Sequence, residues 1–189
     1  MIINDCVLDL KRYWAPYGSV EPPAGWADDS RYGNDGVDTA MTWVQLPSGL
    51  WVKSFDGATS IVTIGDILSY IQTVIMWIAP DDITTRSIID IDGGTHSIEI
   101  DGAGDITATG WAAPIIYVNG AVAAAVALSA WNCIAVTTTT SFAASAIVIG
   151  QEASFYLGKM GLPRIYTYAL NADQINAKYA SERHWFDGA

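Results

Sequence analysis

Short runs rich in Val, Ile, Thr, Tyr and Trp, cut at close intervals by Gly, Asn and Asp, restrict this chain to a sheet-built fold. They recur at 60–64, 73–78, 87–92, 97–101, 114–118, 131–137, 146–149 and 155–168. β-Branched and aromatic side chains suit a pleated, half-buried surface, and the intervening residues supply turns. About a dozen such strands with little helix predict an all-β sandwich of two sheets.

One hairpin reads in register. With Gly93–His96 as a four-residue loop, Ile91 pairs with Ile98 and Ile89 with Ile100. Alternation then puts the isoleucines on one face, the core, and Asp90 and Glu99 on the other, facing water. A second hairpin turns at Asn119-Gly120, since both residues tolerate the positive φ of a type I′ turn. The small apolar run 121–128 is read as the returning strand, packed under a neighbouring sheet or subunit. The single helix expected is C-terminal: Asn171 is a good N-cap, Gln174 completes a capping box, and Ile175 and Tyr179 share one face.

No long linker and no repeat of 20–50 residues divides the chain, so residues 1–189 form one domain. Eight Trp, nine Tyr and a hydrophobic fraction of 51% furnish a large core. Nine basic against twenty acidic residues give a formal charge of −11. That sign repels phosphate backbones and anionic headgroups, so nucleic acid is excluded as a partner. The start lacks a basic n-region and a long apolar run, and no segment is long enough to insert in a membrane, so neither signal peptide nor transmembrane span is expected. Cys6 and Cys133 have neither metal nor redox spacing and are expected as two reduced thiols. His96 and His184 carry no ligand spacing and read as surface residues, and no phosphate-binding loop opens a helix.

Several motifs, in order, resemble the laminin-G-like members of the concanavalin A-like lectin/glucanase superfamily. They are Asp29-Ser30-Arg31-Tyr32-Gly33-Asn34-Asp35-Gly36, Phe55-Asp56-Gly57, Ile116-Tyr117-Val118-Asn119-Gly120 and Trp131-Asn132-Cys133-Ile134-Ala135-Val136-Thr137. Ile149-Gly150, the stretch Gly158 to Tyr166, and Ala169-Leu170-Asn171-Ala172-Asp173-Gln174-Ile175 complete the set. The resemblance implies a concanavalin A-like antiparallel jelly roll with a short C-terminal helix.

Many relatives hold calcium between the early Asp-Ser loop and an acidic pair in the last strand. Gly161 and Leu162 stand at the pair's positions, which damages that site. Asp29, Asn34, Asp35 and Asp56 remain as candidate oxygen ligands, since calcium takes hard oxygens in sets of about six to eight. Glucanases of this fold need three acids on one strand face; Glu99-Ile100-Asp101 lacks the third, so no catalytic residue is assigned.

Trp14, Tyr17, Trp26 and Tyr32 crowd a Pro- and Gly-rich N-terminal region. Exposed aromatic faces stack on sugar rings, so these four are the candidate carbohydrate platform; the alternative is that they fold inward as a cover. The resemblance implies a non-enzymatic module. The expected setting is a virion, that of a bacteriophage, assembled in the host cytoplasm. There the chain would be a structural, decoration or adhesion protein meeting capsid or tail proteins or surface glycans, and homo-oligomerising. A cellular carbohydrate-binding lectin is the alternative, and a family-16-like glycosidase a distant third. Fold alone does not choose among them.

Overall fold

The computed structural model describes residues 5–14 and 20–188, with the backbone alone at Trp14. The described strands are β1 (Cys6–Asp9), β2 (Tyr13–Trp14), β3 (Val37–Thr39), β4 (Thr42–Gln45), β5 (Leu50–Asp56), β6 (Ile61–Gly65), β7 (Tyr70–Pro80) and β8 (Arg86–Asp90). They continue as β9 (Ser97–Ile100), β10 (Ile106–Thr109), β11 (Ile115–Val118), β12 (Ala121–Val122), β13 (Asn132–Ala143), β14 (Ile147–Ile149) and β15 (Leu157–Tyr166). One helix, α1 (Ala172–Glu182), runs into a single 3-10 turn, Arg183–Trp185.

The strands form two antiparallel sheets. The larger runs β12-β11-β13-β7-β15-β5-β2, with β1 beside β15 and β4 beside β5; the smaller runs β10-β9-β8-β14-β6-β3. Alternation along the central strands explains the layers. On β7, Val74, Met76 and Ile78 point between the sheets, while Ile75 and Trp77 point to the opposite face of the larger sheet. There Ile175 of α1 and Phe186, just past the 3-10 turn, close a second apolar layer. The jelly-roll sandwich expected from the sequence is therefore the observed one, with a helix docked on its larger sheet. Among the described residues no helix is long and apolar enough to cross a membrane.

The helix begins as predicted. The Asn171 side chain accepts the Gln174 N–H and the Gln174 side chain accepts the Asn171 N–H, both at 2.9 Å. The Asn119-Gly120 turn is also as predicted, with φ of 53° and 81° and Val118 paired to Ala121.

Two expectations are corrected. In the β8–β9 hairpin the four isoleucines are buried, but Ile89 pairs with Ile98 and Asp90 with Ser97, and the register shifts between Ser87 and Ile89. The cause is Asp90 itself: its carboxylate is buried and accepts the N–H groups of Asp92 and Gly94, so the loop is longer than four residues. The run 121–128 is a strand only at Ala121–Val122, and no neighbouring sheet of this chain covers most of it. Beyond Val122 the chain leaves the sheet to lie along residues 104–106, where Ile106 donates to the Ala124 carbonyl and Val126 to that of Gly104.

Candidate functional site

The site grows from Trp77 on β7. Its neighbours across the sheet are Cys133 on β13 and Gly161 on β15, both small. That leaves room above the sheet for Phe186, which stacks on Trp77 at 4.2 Å, and for Tyr179 of α1, stacked at 5.8 Å. The Trp77 indole N–H donates to Glu182 Oε2 at 2.9 Å, which fixes the ring. Trp131, half-buried at the mouth of β13, tilts onto Phe186 at 4.7 Å.

These rings floor and wall a cleft of about 270 Å³. Asn119, Ser129, Arg183 and Asp187 form its polar rim. The Asn119 Oδ1 accepts the Cys133 N–H at 2.9 Å, which leaves the amide NH₂ as a donor. Among the described residues Arg183 and Asp187 enter no ion pair. A smaller cavity of about 70 Å³ shares Ser129 and Trp131 and adds Asp81 and Lys159. Beneath the floor, burial pushes the Cys133 thiol up to about 12, so it is inert as a nucleophile at neutral pH. Both cysteines are free thiols. The arrangement offers aromatic faces edged by donors and acceptors of both charges. It suits a ligand with an apolar face and a hydroxylated rim.

Of the four residues expected to form the platform, the described ones are Trp26 and Tyr32. Trp26 is 1% exposed, its indole N–H donates to the Lys11 carbonyl, and its ring packs edge-on against Trp43. It is core, and its assignment as a sugar-stacking residue is withdrawn. Tyr32 is exposed, but its hydroxyl is held by Asp5 and Arg31 and the Arg31 guanidinium lies 5.0 Å from its ring. The Trp14 backbone pairs with Leu50; its side chain and all of Tyr17 lie outside the described residues.

The candidate calcium ligands are spread over separate duties. Asp29 faces Lys11 at 3.7 Å, Asn34 donates its amide to the Val7 carbonyl, and Asp35 accepts the Asp28 N–H. Asp56 caps the β5–β6 turn: the Thr59 hydroxyl and the N–H groups of Thr59, Ala58 and Ser60 hold its carboxyl well below the usual range. The organiser of the early loop is Asp28, which the motif reading passed over. Its carboxylate accepts the N–H groups of Asp9, Ser30 and Asn34 and the Ser30 hydroxyl. No cluster of three or more His, Cys, Asp or Glu that could hold a metal occurs among the described residues. Gly161 and Leu162, where the resemblance implies acids, are buried, Leu162 in the apolar layer beneath the helix.

His96 is not simply a surface residue. Its ring lies 3.9 Å from Phe142, nearly parallel, and Nδ1 sits 2.6 Å from Asp92 Oδ2.

No family model and no curated protein matches this chain. Solved structures do. Domain 4 of AbnA, a GH43 extracellular arabinanase from Geobacillus stearothermophilus solved with arabinotriose, is similar over 80% of this chain and 91% of its own. The identity is 15% and the TM-score 0.56. The binding domain of botulinum neurotoxin serotype D is similar over 94% of this chain and 51% of its own, at 11% identity and a TM-score of 0.58. A botulinum neurotoxin type C structure, described as entering cells through two ganglioside molecules, is similar over 93% and 51%, at 10% identity and a TM-score of 0.52. The chain spans about half the length of the toxin chains. What these likenesses establish is the fold: a lectin-like jelly-roll β-sandwich.

Proposed function

We propose that this chain is a non-catalytic glycan-binding domain of the laminin-G-like type, whose ligand stacks on Trp131 at the mouth of the cleft. The observation that carries the reading is the half-buried Trp131 and Tyr179 set over an aromatic floor, with Asn119, Ser129, Arg183 and Asp187 around them. A sugar ring presents an apolar face to stack and hydroxyls to hydrogen-bond, and this cleft offers partners for both. The arabinotriose and ganglioside in the descriptions of two structural neighbours support the same ligand class.

The non-catalytic half of the proposal rests on the acids. Glu99 is tied up by the hydroxyls of Ser97, Thr107 and Thr109. Asp101 spends its carboxylate on the N–H groups of Ala103 and Asp105. Neither lines the cleft. The virion setting is carried by the sequence resemblance; a particle-borne adhesion or decoration protein would use the cleft to hold a surface glycan, as a cellular module would.

A glycan array, run with calcium and with chelator, tests this directly. A specific hit is expected in both arms. Trp131→Ala is expected to weaken it at least tenfold, about 1.4 kcal/mol, while Trp131→Phe retains most of it. A blank array, or a hit indifferent to Trp131→Ala, overturns the site. Hydrolysis of the bound glycan by the purified chain overturns the non-catalytic half.

A further inference from the structure

Nine basic residues stand against twenty acidic ones in this chain, so an unpaired cation is the exception. Lys11, Arg31, Lys53, Arg86 and Arg164 each meet a carboxylate. Arg12 lies over the Trp185 ring and Lys178 over that of Tyr166. The remaining two, Arg183 and Lys159, have neither kind of partner among the described residues. Each lines one of the two cavities that meet at Trp131: Arg183 the cleft of about 270 Å³, Lys159 the smaller one of about 70 Å³.

Alternation places Lys159 there. Met160 and Ile78 point between the sheets, so Lys159 and Ala79, paired across β15 and β7, point to the face that carries Trp77. Asp81, the residue after β7, is exposed and lines the same cavity. The two cavities are therefore built alike. Arg183 and Asp187 line the first, Lys159 and Asp81 the second, and none of the four enters an ion pair among the described residues. Ser129 borders both and holds φ of 54°, a left-handed conformation that glycine adopts more readily. Its N–H donates to the Pro80 carbonyl, but no described residue bonds its hydroxyl or the Trp131 indole N–H.

We infer that the two cavities are adjacent subsites for an uncharged oligosaccharide of at least two units, held across Trp131. This rests on the glycan reading of the cleft and adds length and charge to it. Vicinal hydroxyls both donate and accept, and a carboxylate beside a guanidinium or ammonium answers both needs. Groups that pair with nothing in the chain keep that capacity for a ligand. An acidic sugar, by contrast, would set its own carboxylate near Asp187 or Asp81, in a chain of formal charge −11. The smaller cavity has room for the hydroxylated edge of a second ring, which Lys159 and Asp81 would bind while Trp131 carries the apolar face.

Calorimetric titration of the full chain with gluco-, galacto-, manno- and arabino-oligosaccharides of one to four units tests this, with oligogalacturonate as the acidic comparator. One neutral series is expected to bind, about tenfold tighter as disaccharide than as monosaccharide. Asp81 is exposed, so Asp81→Asn keeps the fold, and Lys159→Met is checked by circular dichroism. Both variants are expected to bring the disaccharide close to monosaccharide affinity and to leave the monosaccharide unchanged. Trp131→Ala is expected to weaken both ligands. Binding that needs Trp131 yet is equal for one unit and two overturns the paired subsites alone. So does disaccharide binding indifferent to Lys159→Met and Asp81→Asn, or oligogalacturonate bound tighter than every neutral chain. Failure of every sugar to bind, or binding indifferent to Trp131→Ala, overturns the glycan reading and the paired subsites together.

Discussion

Arg164 on β15 and Glu182 on α1 form a two-pronged ion pair, with Nη1 2.5 Å from Oε1 and Nη2 2.7 Å from Oε2. Both side chains are buried, and the same carboxylate accepts the Trp77 indole N–H. A single glutamate thus pins the helix to the larger sheet and orients the ring that floors the cleft. Fold stability and site geometry meet at this one group.

Breaking that pair leaves a charge buried without its counter-ion, which costs about 3–5 kcal/mol. Glu182→Gln is expected to lower the urea midpoint accordingly. Its residual folded fraction is expected to show red-shifted tryptophan emission, because the one amide oxygen of Gln cannot serve both Trp77 and Arg164 and the helix loses its anchor. A loss below about 1 kcal/mol would mean that water already screens the pair.

A second buried cation ties the two sheets together. Lys53 on β5 is 1% exposed, contacts the carboxylate of Asp38 on β3 and sits 3.7 Å from the centroid of the Trp43 ring. Burial pulls its pKa below the usual lysine value, against the opposing pull of Asp38. Lys53→Met strands Asp38, whose Oδ1 already lacks a hydrogen-bond partner, and is expected to cost about 3–5 kcal/mol. The double variant Lys53→Met, Asp38→Leu removes both charges and is expected to recover most of that loss, since apolar replacement of a buried pair is often close to neutral. Denaturant unfolding of the two single variants and the double closes the cycle; additive losses would refute the coupling.

Stability is expected to fall on acidification, with the sign set by turn-capping carboxylates. Asp82 is held down to about 2 by the Thr84 N–H and then by Arg86, and Asp56 and Asp101 also lie below the usual 3.8 through turn hydrogen bonds. Each folded-state value is depressed. The stabilisation is therefore present above 3.8 and is lost as pH drops through the folded values, toward 2 for Asp82. Asp9 runs the other way: burial raises it, so its contribution is full below 3.8 and is lost as pH rises through its folded value. Asp56→Asn should melt below the native chain at neutral pH, with the gap narrowing below about pH 4. A gap independent of pH would assign the turn's stability to shape rather than charge.

The sandwich was legible in the sequence because a period of two is a global pattern that survives local accidents. The isoleucines of β8 and β9 went inward as the alternation required. Their register did not follow, because the Asp90 carboxylate bonds to backbone N–H groups in the loop, and periodicity does not encode such bonds. Trp26 misled for a related reason. Pro and Gly around Trp26 mark an irregular backbone, but irregular backbone can still cover a core, and Trp26 fills the space beside Trp43. The cleft was hidden because its parts lie far apart along the chain. Asn119 read as a turn and Trp131 as the start of a strand, each a local reading that leaves no surplus to notice, and Phe186 fell in no motif. Only the docking of α1 brings them together.

Gly161 gives the sharpest test of how far family resemblance reaches into this chain. The resemblance read from the sequence implies a calcium-binding acid where Gly161 stands, so on that reading Gly161→Asp would be a restoration. The structure predicts the opposite. A Cβ at 161 would lie 3.1 Å from Val52 Cγ1, tighter than side chains normally approach, and 3.4 Å from Phe186 Cε1, already in contact. The carboxylate would enter the apolar layer that holds Trp77 and Leu162, where a charge without a partner cannot be accommodated cheaply. Gly161→Asp is therefore expected to lose about 3 kcal/mol or more and to displace Phe186 from Trp77, opening the cleft floor. Added calcium should not raise its melting temperature. A variant that folds normally and is stabilised by calcium would instead support the metal site that the sequence resemblance implies.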